Sequence, residues 1–158
     1  MIIIICILVV VFDQLSKSLF SQNLTLSQSV PIIKNIFHFT LVHNTGIAFG
    51  ILQGSLNVIL VVTAVGVVLM TYSLRKDFLK QDKSFGYREL LIRRIAIGFI
   101  LGGALGNMID RLRLGYVIDF IDFRVWPVFN LADSFITVGA VILSWKLFIR
   151  PKTKKDKV

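Results

Sequence analysis

The residues best suited to acid–base chemistry are two aspartates that lie in otherwise apolar stretches. Asp119 falls in the segment 115–127, whose aromatic and β-branched residues predict an extended chain. In that form Asp119 shares one face with Val117 and Phe123, where it has no charged partner. Asp133 follows at the start of the next apolar run. An acid on an apolar face requires a reason, and a second carboxyl group across a cleft is one.

Two carboxyl groups in a site of low dielectric constant do not ionise together, so they share a proton. The ionised group can take a proton from water while the protonated group hydrogen-bonds a peptide carbonyl oxygen. That division of roles suits peptide hydrolysis, but the same pair could bind a cation or relay protons. If Asp133 begins a helix, the helix N-terminus favours its ionised form, so we expect Asp119 to hold the proton.

Each acid also has a structural explanation. Asn130 and Asp133 have the spacing of a helix N-cap and its reciprocal partner. Asp122 shares a face with Arg124, which predicts a surface ion pair. The repeated Asp-Phe pair leaves open which acid of segment 115–127 is the reactive one.

Two further charged pairs lie near the ends of apolar runs. Asp13 and Lys17 have the i,i+4 spacing of an ion pair on one helix face. Asp110 and Arg111 are interpreted as a helix end that meets lipid headgroups, with Arg111 as an anchor. Charges at such depth are retained when they are paired, hydrated or functional.

Composition indicates a membrane protein. Of the 158 residues, 55% are hydrophobic, and the mean hydropathy is +0.77. A soluble domain of this size could not bury so much apolar surface. The formal charge of +9 does not indicate nucleic-acid binding, because thirteen of the eighteen Lys and Arg residues fall in two blocks, 75–94 and 146–158, that follow apolar runs. The single Cys6 predicts no disulfide or metal site.

These patterns predict an all-α polytopic membrane protein of one domain, 1–158, with four transmembrane helices. The basic blocks place both termini in the cytoplasm, and residues 1–20, which lack a cleavage pattern, form a retained anchor. The predicted spans are about 1–20, 54–74, 93–112 and 129–149, the outer segments are 21–53 and 113–128, and the cytoplasmic loop and tail are 75–92 and 150–158.

The outer segments and the third span carry further structural signals. The alternation from Ile36 to Val42 predicts a strand or hairpin in a small extracytoplasmic sheet. Residues 44–46 predict a turn, and the apolar segment 47–52 predicts a short interfacial amphipathic helix. In the third span glycines recur every four residues, which lets a neighbouring helix approach closely; they are Gly98, Gly102 and Gly106.

Five sequence blocks, in order along nearly the whole chain, resemble the bacterial lipoprotein signal peptidases, or signal peptidase II family. Five blocks at the ends of predicted spans are far more specific than any single one. The amino terminus departs from the family, because it is shorter and lacks an early basic residue. The blocks are 13–17 (D-Q-x-S/T-K), 44–49 (N-T-G-x-A-F), 102–111 (G-G-A-x-G-N-x-x-D-R), 117–120 (V-x-D-F) and 129–133 (F-N-x-A-D).

The resemblance implies an aspartic peptidase whose catalytic dyad is Asp119 and Asp133, and leaves Asp122 outside the site. It implies that Asn130 orients the dyad and that Asn44 and Arg111 contact the substrate. No metal or organic cofactor is expected. The substrate-binding or supporting residues that it implies are Asp13, Lys17, Asn44, Gly46, Asn107, Asp110, Arg111 and Asn130.

The substrate implied is a prolipoprotein, cut just before its diacylglyceryl-modified lipobox cysteine at the outer face of the cytoplasmic membrane. The resemblance further implies contact with membrane lipid, a monomer, and inhibition by cyclic peptides such as globomycin. One rival interpretation is a small ion or proton transporter that uses the buried acids. Another is a non-catalytic membrane assembly factor held together by the glycine-rich face.

Overall fold

The structure, a computed structural model, describes residues 1–46, 55–79 and 86–148. It contains four helices and a three-stranded antiparallel sheet, so the predicted combination of helices with a small sheet is confirmed. The predicted interfacial helix at 47–52 lies outside the described residues, as does the tail at 150–158. The elements are α1 (Ile2–Asn23), β1 (Ser29–Ile33), β2 (Phe37–Asn44), α2 (Leu56–Leu79), α3 (Tyr87–Leu114), β3 (Val117–Asp122) and α4 (Leu131–Phe148).

The helices differ in how clearly they could cross a membrane. Among the described helices α1 alone is both long and apolar enough to do so, and few of its residues are buried. Within the described side chains, the apolar parts of α2 and α4 are shorter, at Leu56–Tyr72 and Leu131–Trp145. Many large aliphatic side chains of α1, among them Leu15 and Leu19, are exposed on the outside of the bundle. Lipid is the solvent in which such a surface is stable.

Glycines set the distances between helices, as the four-residue spacing predicts. A Cβ atom at Gly102 would lie 2.6 Å from the Cβ of Val9, and one at Gly106 would lie 2.5 Å from a carboxylate oxygen of Asp13. Gly103, on another side of α3, faces the backbone of α4 in the same way. Helix α3 is therefore in close contact with both α1 and α4, which is the packing that small residues permit.

The sheet has the order β1-β2-β3, and the predicted strand at 36–42 is confirmed as β2. The register of β2 with β3 contains one irregularity, because Phe39 opposes Ile121 whereas Val42 opposes Asp119. Strand β2 thus has one extra residue between these pairs, the arrangement of a β-bulge. Paired residues of adjacent strands share a face, so Val42 projects from the same side of the sheet as Asp119.

A small apolar core joins the sheet to the end of α1. Leu41, Ile118 and Phe120 form its centre. The ring of Phe20, in the last turns of α1, stacks on Phe120 with centroids 4.1 Å apart and contacts Phe39 at 4.5 Å. Aromatic stacking of this kind fixes the sheet directly over the end of the helix.

The extended segment before α4 is shorter than predicted. Strand β3 ends at Asp122, and Arg124 turns the chain with a positive φ of 65°. The extended segment predicted for 115–127 thus stops before Pro127. The turn at Gly115 is present, and its φ of 84° is one that glycine adopts without strain.

Candidate active site

Asp119 is the third residue of β3, and its side chain is 1% exposed. Its two carboxylate oxygens accept hydrogen bonds from the Nδ2 of Asn44, at 2.9 Å, and the Nδ2 of Asn130, at 2.7 Å. Burial and the nearby charge of Asp133 raise the pKa of Asp119 to about 7, although the two amide hydrogen bonds act in the opposite direction. Asp119 is therefore a carboxyl group that can hold a proton near neutral pH.

Asp133 lies in the first turn of α4 and takes part in its N-cap. The backbone N–H of Asp133 donates to the Oδ1 of Asn130 at 2.9 Å, and the backbone N–H of Asn130 donates back to Asp133 Oδ2 at 3.3 Å. The predicted capping arrangement is confirmed. The cap uses only the Oδ2 of Asp133. Its Oδ1 accepts from the Nδ2 of Asn107 at 2.8 Å, so a role in the cap does not exclude a catalytic role.

Both aspartates line one cavity of about 1060 Å³ between the sheet, α3 and the start of α4. A peptide in this cavity would meet two carboxyl groups among apolar walls, which is the usual composition of a substrate site. The walls include Val42, Val117, Phe123, Phe129, Ile136 and Val138, and the polar lining includes Asn44, Asn107 and Arg111.

A second pair of carboxylates lies deeper in the bundle around the ammonium of Lys17. Asp13, Lys17 and Asp110 are only 0%, 2% and 3% exposed. The Nζ atom of Lys17 lies 2.8 Å from Asp13 and 2.9 Å from Asp110, so the predicted Asp13–Lys17 pair is confirmed. The sequence had suggested that Asp110 meets lipid headgroups. It is instead buried, because α3 packs against α1 and brings Asp110 to Lys17. Gln14, which we had not assigned, donates to Asp110 at 2.8 Å.

Asn107 connects this buried cluster to the candidate dyad. A lysine ammonium can only donate, so the oxygen of Asn107 must face Lys17, at 2.9 Å. The amide nitrogen of Asn107 then faces Asp133. Asn130 donates to the same Asn107 oxygen at 3.0 Å and to Asp119. The ammonium of Lys17 thus fixes which end of the Asn107 amide faces Asp133.

Asn44, Gly46 and Arg111 meet at the other end of the cavity. The backbone N–H of Gly46 donates to the side-chain oxygen of Asn44 at 2.9 Å, which forms the predicted turn and aims the Asn44 amide at Asp119. The guanidinium of Arg111 donates to the carbonyl oxygen of Gly46 at 2.9 Å and lines the cavity. Arg111 is thus turned inward, and its interpretation as a headgroup anchor is wrong.

Asp122 has different surroundings from Asp119. It is buried, but it accepts a hydrogen bond from Thr40 at 2.7 Å and forms an ion pair with Arg124 at 3.0 Å. Burial opposes ionisation, yet the hydrogen bonds from Thr40 and Arg124, with the charge of Arg124, hold the pKa of Asp122 below its usual value. The predicted ion pair is confirmed, although its carboxylate is not at the surface.

Metal binding finds little support in these side chains. Across residues 1–46, 55–79 and 86–148 no group of three or more His, Cys, Asp or Glu residues is placed to hold a metal ion.

Gln14 is the supporting residue that sequence reasoning missed, and its place inside the 13–17 block was the available signal.

The family model and the curated relatives agree on one family. The family model described as "Signal peptidase (SPase) II" matches residues 5–149. The chain is 44% identical to the lipoprotein signal peptidase of Moorella thermoacetica, over 93% of this chain and 92% of that protein, and 43% identical to that of Halothermothrix orenii, over 96% and 98%. Two solved structures, each described as a bacterial membrane enzyme, superpose with TM-scores of 0.79 and 0.77 at 29% and 31% identity, over 97% and 95% of this chain and 94% of each of those chains.

Proposed function

The chain belongs to the signal peptidase II family, and we propose that it cleaves prolipoproteins by an aspartic mechanism in which Asp119 and Asp133 are the catalytic residues. One observation carries this proposal: both carboxyl groups line a single cavity, and their side-chain hydrogen-bond donors in the described chain are neutral amides. The guanidinium of Arg111 lines the same cavity, but it donates to the carbonyl oxygen of Gly46 rather than to either carboxylate. Two carboxyl groups whose direct donors are neutral share a proton more readily than they both ionise.

The proposed reaction uses the two carboxyl groups in different protonation states. Asp133, at the positive end of α4, takes a proton from a water molecule whose oxygen attacks the peptide carbonyl carbon. Asp119, with a pKa raised to about 7, keeps its proton and hydrogen-bonds the carbonyl oxygen as negative charge develops there. The proton taken from water passes to the leaving nitrogen, the C–N bond breaks, and the new carboxyl group and amine separate.

The neighbouring amides are assigned to positioning. Asn130 contacts Asp119 with its side chain and Asp133 with its backbone, so it sets the relative placement of the two carboxyl groups. Asn107 fixes the orientation of Asp133 and is itself held by Lys17. Asn44 and Arg111 line the cavity from the other side, where we propose that they contact the substrate.

The distribution of Lys and Arg supports a particular orientation of the protein in the membrane. We propose that α1 to α4 all span the cytoplasmic membrane of a bacterium, with both termini in the cytoplasm and the cavity at the outer face. At that level the acyl chains of a diacylglyceryl cysteine can remain in lipid while the bond before the cysteine reaches the dyad. We further propose that the enzyme acts as a monomer and that cyclic peptides such as globomycin occupy the same cavity.

A cleavage assay in lipid tests the proposal. The substrate is a peptide with a diacylglyceryl-modified cysteine, and the variants are Asp119→Asn and Asp133→Asn. Either change abolishes cleavage while the protein still inserts and keeps its helical content. Asp122→Asn is the matched control, because Asp122 lies on the same strand but outside the cavity, and it retains activity. Cleavage by either dyad variant at the wild-type rate, or none by the wild type, contradicts the proposal.

A further inference from the structure

The hairpin formed by β1 and β2 exposes an apolar tip that the reaction does not use. The side chains of Ile32, Ile33 and Ile36 are 54%, 52% and 59% exposed. Strand β1 is also an edge strand of the sheet. In water an exposed aliphatic edge strand promotes aggregation. Lys34 is the only charged residue between Leu24 and Phe37, so this tip combines branched aliphatic side chains with one positive charge.

Two contacts show which way the hairpin extends. At one end of β2 Asn44 reaches Asp119, over the centre of the bundle beside the start of α4. Further back along β2, Phe39 packs on Phe20 in the last turns of α1. Both points lie at the same end of their helices, so β2 runs across that end of the bundle.

The same line carries the tip beyond the bundle. At about 3.3 Å per residue, the chain from Phe39 back to Ile36 extends about 10 Å past the contact with Phe20. The radius of a helix with its side chains is only about 5 to 6 Å. Phe37, on this part of β2, stacks on Phe123 and so stays with the sheet. By this extrapolation along the strand, Ile33 and Ile36 overhang the outer side of α1.

The surface beneath that overhang is apolar. Leu15 and Leu19 project from the outer half of α1, and Leu26 continues the exposed aliphatic surface into the connection to the hairpin. Helix α1 is long and apolar enough to cross a membrane, and in the membrane arrangement proposed above this side of the helix faces acyl chains. The hairpin tip is thus continuous with a lipid-facing surface.

From this continuity we infer that the β1–β2 hairpin tip is immersed in the outer leaflet of the membrane. Ile32, Ile33 and Ile36 contact acyl chains near the headgroup boundary. The ammonium of Lys34 reaches lipid phosphates, as lysine side chains at interfaces do. The hairpin thereby fixes the sheet, and with it the wall of the cavity that carries Asn44, at the level of the headgroups. The inference requires no particular catalytic mechanism.

Fluorescence quenching in vesicles tests the inference. Full-length protein with Cys6→Ser and Ile33→Cys is labelled with an environment-sensitive fluorophore and placed in phosphatidylglycerol–phosphatidylcholine vesicles. The label is expected to be quenched by spin-labelled lipid about as strongly as a label at Leu15→Cys, and only weakly by aqueous iodide. Thr45→Cys, at the opposite end of β2 and over the bundle, is the matched control and shows the reverse preference.

Either of two other results overturns the inference. Strong quenching of the Ile33 label by iodide, without quenching by lipid, places the tip in water. Protection from both quenchers places it against another protein surface, such as a second copy of the chain. Because no step depends on cleavage, failure here is distinct from failure of the proposed peptidase activity.

A second experiment asks whether immersion affects turnover. The variant Ile33→Ser with Ile36→Ser removes two exposed side chains that contribute little to the folded core. We expect KM for a vesicle-embedded lipopeptide to rise about tenfold, because the site loses its alignment with the membrane surface, while kcat/KM for the same peptide in detergent stays unchanged. An unchanged KM in vesicles, or an equal loss in both media, contradicts the inferred role.

Discussion

The molecule contains two pairs of aspartates with opposite surroundings. Asp13 and Asp110 lie inside the bundle, and both contact the ammonium of Lys17 within 2.9 Å. Asp119 and Asp133 lie at a cavity, and their carboxylates accept hydrogen bonds from amides. The inner pair is buried around a cation that it contacts directly. The outer pair lines a cavity, and the cation there, Arg111, donates to the carbonyl oxygen of Gly46 rather than to either carboxylate.

This difference shows what makes a carboxyl group reactive. An ammonium in direct contact with a carboxyl group favours its ionised form. Amide donors orient a carboxylate without neutralising it, so burial, together with the charge of Asp133, raises the pKa of Asp119 to about 7. The two pairs are nevertheless linked, because Asn107 accepts from Lys17 and donates to Asp133.

The largest effect is expected when one aspartate of each pair is replaced by asparagine and the activity and stability of the two variants are compared. Asp119→Asn should lower kcat by at least about a thousandfold, since it removes a group that transfers or holds a proton in the reaction. It should leave thermal stability in detergent unchanged or higher, because a buried acid with an unfavourable environment is replaced by a neutral amide. Asp110→Asn should instead lower the melting temperature. If the two variants lost the same activity and the same stability, the outer pair could not be called catalytic and the inner pair structural.

A second prediction concerns the cation. Lys17→Met leaves Asp13 and Asp110 buried without their partner, and removing one member of a buried ion pair costs about 3–5 kcal/mol of stability. The triple variant Asp13→Asn, Lys17→Met, Asp110→Asn should recover most of that loss, measured by unfolding in detergent.

The triple variant also tests the link through Asn107. Without Lys17 the Asn107 oxygen loses one of its two donors and keeps the hydrogen bond from Asn130, so the amide is held less firmly. We therefore expect kcat to stay about tenfold below wild type, even when the protein is stable. A stable triple variant with full activity and the wild-type pH profile would show that Lys17 serves the fold alone.

The pH dependence sharpens the comparison further. Asp119 must be protonated in the proposed reaction, so kcat/KM should fall as pH rises through about 7. The hydrogen bond from Asn44 lowers the pKa of Asp119. Asn44→Ala should therefore move this alkaline limb to higher pH, whatever it does to the maximal rate. A limb that moves to lower pH, or does not move, contradicts the assignment to Asp119.

The smallest effect is expected at Asp122, which resembles the inner pair in having a cationic partner. Asp122→Asn removes the ion pair with the half-exposed Arg124, and such pairs contribute about 0–1 kcal/mol. An asparagine oxygen can still accept the hydrogen bond from Thr40. Activity within twofold of wild type, measured with the same lipopeptide, is the expected result.

Local patterns predicted the parts of the site that depend on neighbours in sequence. Apolar runs placed the helices, the spacing of Asn130 and Asp133 predicted the cap, and i,i+4 spacing predicted the Asp13–Lys17 pair. The face of the extended segment favoured Asp119 over Asp122, and the sequence blocks favoured the same residue. Burial alone does not separate the two, because both are buried.

Contacts between distant segments could not be predicted in this way. The ion pair of Lys17 with Asp110 depends on how α3 packs against α1, and helical periodicity does not encode which partner faces a given side. Strand β1 was not assigned because Pro31 interrupts a short run of exposed residues, a pattern typical of edge strands.

The extra residue of β2 between Phe39 and Val42 has a consequence for insertions and deletions. Because side-chain facing alternates with every residue, this extra residue acts as a phase shift, which puts Val42 and Asn44 on the side of Asp119. A deletion of one residue there would leave the composition of the strand almost intact and yet turn the amide of Asn44 away from the carboxyl group. Homologues should therefore tolerate substitutions in this stretch far better than changes in its length.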